Sequence, residues 1–135
     1  MKRRALSAKD KMSKIVRFED IEAWQDARAL TKEIYIITES WKDFSLKDQM
    51  RRASVSIMAN TVEGYARRGD KEFSHFLFIA RASAAELQSH LYLSLDLNNI
   101  SHQVFDYLYE KLDKIQRKLY SFIRTLDARR FTHDA

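Results

Sequence analysis

The chain predicts an all-α protein, an antiparallel up-down-up-down four-helix bundle that assembles into a homo-oligomer. Three observations lead there. Apolar residues recur at steps of three and four through four long stretches. The 135 residues contain no proline and only two glycines, Gly64 and Gly69, so an all-β sandwich or barrel lacks its turn residues. The second helical stretch also carries too little polar surface for a helix that simply faces water.

The first helix is expected over about residues 20–40. Trp24, Ala27, Leu30, Ile34, Ile37 and Trp41 define one face. Asp20 is the expected N-cap, with Phe18 packing back onto the first turn. The segment DFS then interrupts the pattern, and Ser45 opens the second helix over about 46–68, with Asp48 completing a near capping box. Gly69 is expected to take the left-handed position that ends it.

Asp70 is read as N-cap of the third helix, about 71–97, with Glu72 in the dipole-favoured first turn. Phe73, Phe76, Leu77, Ala80, Ala84, Leu87, Leu91 and Leu95 form its inner face. Asn98-Asn99-Ile100 makes a turn, and Ser101 caps the fourth helix, about 102–127. There Leu108, Leu112, Ile115, Leu119, Phe122 and Leu126 form a regular seam. Residues 18–128 thus form one bundle, with a frayed terminus over 129–135. Helices of about 20–27 residues, joined by short links, pack as antiparallel neighbours. Their net charges alternate in sign, which favours that order over others.

Charge is concentrated at the beginning. Residues 1–17 hold Lys2, Arg3, Arg4, Lys9, Lys11, Lys14 and Arg17 against Asp10 alone, a net +6 in a chain of net +5. The rest is therefore close to neutral. This segment is expected to be a flexible basic arm that contacts nucleic acid by releasing phosphate counterions. The plainer reading is a solvated leader, since it holds no aromatic to stack on a base. No apolar run approaches the roughly 18 residues that span a bilayer, and the first 17 residues contain no signal-like apolar stretch. A cytoplasmic protein without a membrane partner is expected.

On a helical wheel, Gln49, Arg52, Ser56, Asn60 and Glu63 fall in one stripe with Arg67. Leu46, Ala53, Ile57 and Gly64 flank one side; Val55, Ala59, Val62 and Ala66 flank the other. A polar line framed by apolar residues suits a seam between protein surfaces, with its hydrogen-bonding groups paired across the bundle or between subunits. No nucleophile–base–orienter set accompanies Glu63, so a catalytic reading is not supported.

QMRRASVSIMANTVEGYARR, followed by DKEFSHFLFIARASAAELQSHL, resembles the 23S rRNA intervening-sequence protein family. FEDIEAWQDARALTKEIYIIT and KLDKIQRKLYSFIRTL also fit, so the likeness covers about residues 18–126, four fifths of the chain. Its most specific portion runs from Arg51 to Arg68. Met58 stands where the family usually has proline, which leaves this helix unkinked. The resemblance implies an antiparallel four-helix bundle in a homopentameric ring, with no enzymatic activity. Some members are encoded within insertions of large-subunit ribosomal RNA genes. Related bundle proteins serve reverse transcriptases, and a basic ring surface binds RNA or cDNA. The partners it implies are further copies of the chain, RNA or DNA, and a reverse transcriptase or ribosomal component.

Other chemistry finds little support. Without cysteine there is no disulfide, thiol catalysis or Cys-based metal site. Glu72 and His75 make a single E-x-x-H, whereas a dimetal bundle needs two plus further glutamates. Glu86 and His90 share a face without a third ligand. No phosphate-loop, dinucleotide or hydrolase motif occurs, so no cofactor or catalytic residue is expected. The candidate nucleic-acid residues are the arm's seven cations with Arg51, Arg67, Arg68, Lys114, Arg117 and Lys118. Arg67 and Arg68 are equally suited to opposing the negative end of their own helix.

Overall fold

In α2 (Glu22–Thr38) the step-three, step-four pattern does what it predicts: Ala27, Leu30 and Ile34 are fully buried, while Trp24 and Ile37 pack at the core margin. The computed structural model describes residues 7–133, and no strand occurs among them. Four long helices follow one another: α2, α3 (Phe44–Ala66), α4 (Asp70–Asp96) and α5 (His102–His133). They are preceded by a short helix, α1 (Ala8–Ser13), and a 3-10 turn at Phe18–Asp20.

Side-chain partners give the directions of the long helices. Ser56 meets Ser83 and Met50 meets Ser94, so α3 and α4 run antiparallel. Ser74 meets Asp127 while Gln88 meets Asp113, so α4 and α5 do too. Tyr107 reaches Glu33 and Lys118 reaches Asp26, which sets α5 antiparallel to α2. One core lies among them, built from Leu30, Ile34, Met50, Ile57, Leu77, Leu87, Leu91, Leu108, Leu112, Ile115 and Leu119. Each such side chain contributes roughly 1.5–3 kcal/mol by leaving water.

Several buried positions are polar. Thr31 and Thr38 return their hydroxyls to the carbonyls of Ala27 and Ile34, each at 2.7 Å. Gln88 is locked between Asp113 at 2.9 Å and Gln116. Because these groups are paired, their burial does not carry the cost of an orphaned dipole.

The helix ends depart from expectation. Asp43, not Ser45, caps α3 by accepting from the Leu46 N–H at 3.1 Å. Asp20 is not the cap of α2, whose cap residue is Ile21. Its carboxylate instead accepts from the Val16 and Arg17 N–H groups at 3.0 and 3.2 Å and braces the 3-10 turn. Gly69 does not turn left-handed: Arg68 does, with φ 58°, and Gly69 sits extended at the N-cap of α4 with Asp70 already helical. Ser101 caps α5 as expected, accepting from the Val104 N–H at 3.1 Å, and Asn98 supplies the left-handed turn at φ 60°.

Two flexible ends were expected, and much of each is ordered into the fold. Residues 8–13 form α1, with a reciprocal capping box between Ser7 and Asp10. Met12, Ile15 and Phe18 pack on the core, which a purely solvated leader would not allow. At the other end α5 continues to His133, because Leu126 is buried and Arg129 reaches Asp70. Residues 1–6, including Lys2, Arg3 and Arg4, lie outside the described residues, as do 134–135.

Candidate nucleic-acid interface

The ten candidate cations among the described residues separate by what they already hold. Arg51 is committed to the fold. Its Nε donates to Thr38 Oγ1 at 2.9 Å, its Nη2 donates to the Tyr35 carbonyl at 3.0 Å, and its guanidinium lies 4.3 Å from the Tyr35 ring centroid. It satisfies a carbonyl in the last turn of α2, where no helical donor is left. Arg51 also pairs with Glu39 at 3.3 Å, so its guanidinium is held on several sides by the end of α2.

Lys118 is likewise engaged, with Asp26 at 2.5 Å and Glu22 at 3.6 Å. Lys11 meets the same Glu22 at 3.6 Å, so α1, α2 and α5 share one charge cluster. Lys14 lines the adjoining groove, of about 490 Å³, without a carboxylate of its own. Arg17 pairs with Glu19, Arg67 with Glu63 and Arg117 with Glu110, all at exposed positions. Such surface pairs are worth about 0–1 kcal/mol and yield readily to a polyanion. Lys9, Lys14, Arg68 and Lys114 have no carboxylate partner among the described residues.

A second groove, of about 840 Å³, lies where α1 approaches the α3–α4 turn. Arg17, Arg68 and Arg129 stand on its rim, and Ile15, Tyr65, Phe73 and Phe122 form apolar wall. Arg129 already binds Asp70 there, so the rim is partly neutralised.

Most of the polar stripe of α3 finds partners within the chain. Ser56 and Ser83 hydroxyls meet at 2.8 Å, and Asn60 Nδ2 donates to Ser56 at 2.9 Å. Arg52 pairs with Asp48, and Glu63 with Arg67, along the helix itself. Gln49 is exposed. The two apolar flanks differ: Leu46, Ala53, Ile57 and Gly64 are buried, whereas Val55 is 41% exposed, Ala59 and Ala66 are also exposed, and Val62 is half-buried. On α4, Phe78, Ile79, Leu93 and Leu97 are exposed too, with Phe78 at 49% and Leu93 at 46%.

Arg81 is not among the candidates. From α4 it places its guanidinium 4.7 Å from the ring centroid of Tyr120, and Arg124 lies at 5.8 Å from the same ring. The i, i+4 spacing of Tyr120 and Arg124 is visible in the sequence; Arg81 comes from another helix.

Among the described residues no three His, Asp or Glu side chains converge. His90 and Glu86 approach at 3.4 Å as a helical pair, and Glu72 and His75 are exposed at the start of α4. No helix among the described residues is long and apolar enough to cross a membrane.

Residues 19–121 match the family model described as 23S rRNA-intervening sequence protein. No curated protein matches the chain. Among solved structures, a protein with unknown function from the S23 ribosomal protein family of Bacteroides thetaiotaomicron VPI-5482 superposes with a TM-score of 0.67. It is 22% identical, over 76% of this chain and 91% of its own, a likeness of fold.

Proposed function

The chain belongs to the 23S rRNA-intervening sequence protein family, and from that premise we propose a non-enzymatic four-helix bundle that self-associates as a pentamer and binds nucleic acid. The carrying observation is a group of cations without a carboxylate partner among the described residues: Lys9, Lys14, Arg68 and Lys114, together with Arg81 and Arg124. The basic stretch at Lys2, Arg3 and Arg4 adds to them in sequence. Self-association is supported by the apolar surface of Val55, Phe78, Ile79, Leu93 and Leu97, which a lone copy leaves in water. Repetition of the cations around a ring multiplies weak phosphate contacts by avidity.

Such binding depends little on base sequence and steeply on salt. Titration of labelled RNA and DNA, single-stranded and duplex, at low and moderate salt tests it. Replacing Lys9 and Lys14 with Gln is preferable to deleting residues 1–17, because Met12 and Ile15 pack on the core. Weaker binding and a shallower salt dependence are expected. Absence of binding under every condition refutes the reading. The exposed apolar face also favours a second reading, a scaffold for another protein such as a polymerase. Copurification that survives nuclease digestion distinguishes it.

A further inference from the structure

We propose that Arg81, Tyr120 and Arg124 form a stacking clamp for single-stranded nucleic acid, Tyr120 receiving a base and the two guanidiniums its neighbouring phosphates. The inference rests on the nucleic-acid reading above and names the contact that would choose between strands and duplexes.

Two like charges have been gathered on one aromatic ring. Arg81 comes from α4 and Arg124 from α5, one turn after Tyr120, at 4.7 and 5.8 Å from the ring centroid. Neither guanidinium has a carboxylate partner among the described residues, whereas Arg17, Arg52, Arg67, Arg117 and Arg129 each have one. On α5, Asp127 accepts from Ser74 and Asp113 accepts from Gln88, and neither is paired with Arg81 or Arg124 among the described residues. The attraction of each cation for the ring face, with screening by solvent, offsets their mutual repulsion. An anion between them removes that repulsion.

The ring itself is available. Tyr120 is 45% exposed and its hydroxyl makes no hydrogen bond among the described residues. Arg81 is close to the ring, but Arg124 stands near the roughly 6 Å limit of a useful cation–π contact. Arg124 is also exposed and free to turn outward. Its movement to a phosphate vacates ring surface for a base while keeping charge beside it. A phosphate at the cations and a π-face at the ring is the chemistry of a polynucleotide, not of a bare polyanion. Bases within a duplex are already stacked and paired, so only a single strand supplies one without cost.

The test uses the full chain and two fluorescent probes of equal length, oligo-uridine and a duplex, followed by anisotropy over a range of salt. Tyr120→Ala is expected to weaken oligo-uridine binding about ten-fold or more and to leave the duplex nearly unchanged. Tyr120→Trp keeps a π-face and should retain the affinity. Arg81→Gln with Arg124→Gln should reduce the single-strand salt slope by about 1.4, two phosphate contacts' worth. If the unaltered protein binds oligo-uridine and Tyr120→Ala binds it equally well, the clamp is refuted while nucleic-acid binding stands. Equal weakening by Tyr120→Ala and Tyr120→Trp on both probes assigns Tyr120 a structural role and also refutes it. If the unaltered protein binds neither probe, the underlying reading has failed, and the clamp with it.

Discussion

Gly64 and Phe76 mark the closest approach of α3 to α4: a Cβ built on Gly64 would stand 2.8 Å from the Phe76 Cβ. The same atom would lie 3.0 Å from a Phe73 ring carbon and 3.1 Å from the Phe73 carbonyl oxygen. Two of these neighbours sit on or beside backbone and cannot swing away. Gly64 is buried, and the absence of a side chain is what lets the two helices meet there.

Gly64→Ala should therefore destabilise the protein. In an unconstrained helix the change gains about 1 kcal/mol of helix propensity. Overpacking here costs about 1–3 kcal/mol, with the helices forced apart along their whole contact. Thermal melts at matched protein concentration should show a net fall in Tm. An unchanged or higher Tm would mean that α3 and α4 separate freely at this end.

Arg51→Leu should lower stability by about 1–3 kcal/mol, because it removes the guanidinium donors to the Tyr35 carbonyl and to Thr38 Oγ1, whose own hydroxyl still donates to Ile34. Nucleic-acid affinity should stay as it was. Urea unfolding and anisotropy on the same preparation check both halves. A large loss of affinity with normal stability would return Arg51 to the binding surface.

The exposed flank of α3 and α4 gives a prediction about assembly. Val55→Asp or Leu93→Asp puts a charge on a surface that self-association would bury, and should reduce the mass seen by light scattering. Asn60→Leu, which removes only a donor to Ser56, should act more weakly, and Glu63→Leu only frees Arg67. A protein that is already monomeric at micromolar concentration would defeat this proposal.

Tyr109 offers a pH-dependent readout. Hydrogen bonding to Tyr92, followed by repulsion between the two phenolate charges, raises its pKa above the usual 10.0. The folded state thus holds this proton more tightly than the unfolded chain does. The resulting stability is complete below about pH 10 and is lost as pH climbs through the raised value. Tyr109→Phe should flatten that alkaline decline relative to the unaltered protein, measured by urea midpoints on either side of about pH 10. Identical declines would remove Tyr109 as their source.

Much of the fold was legible in the residues. The inner positions of α5 at Leu108, Leu112, Ile115 and Leu119 follow directly from their spacing, and all four are buried. Long periodic runs signal themselves many times over, so one ambiguous residue does not mislead. Helix ends offer no such redundancy. Asp43 and Ser45 are both good caps, and only the path of the chain out of α2 decides between them. Arg68 turns left-handed because the chain must enter α4 in an extended conformation at Gly69, a demand that the local composition does not express.

The sequence by itself determined the all-helical character, the number of long helices and the faces they bury, because helical periodicity is a local property of the chain. Tertiary structure alone decided which charges remain available. Arg51 of α3 meets Thr38 of α2, Lys118 meets Asp26 across most of the chain, and Arg81 meets Tyr120 from a neighbouring helix. A charge count treats each of these as one more surface cation. Coulomb attraction and stacking act over a few ångströms, so the role of each cation depends on what the fold sets beside it.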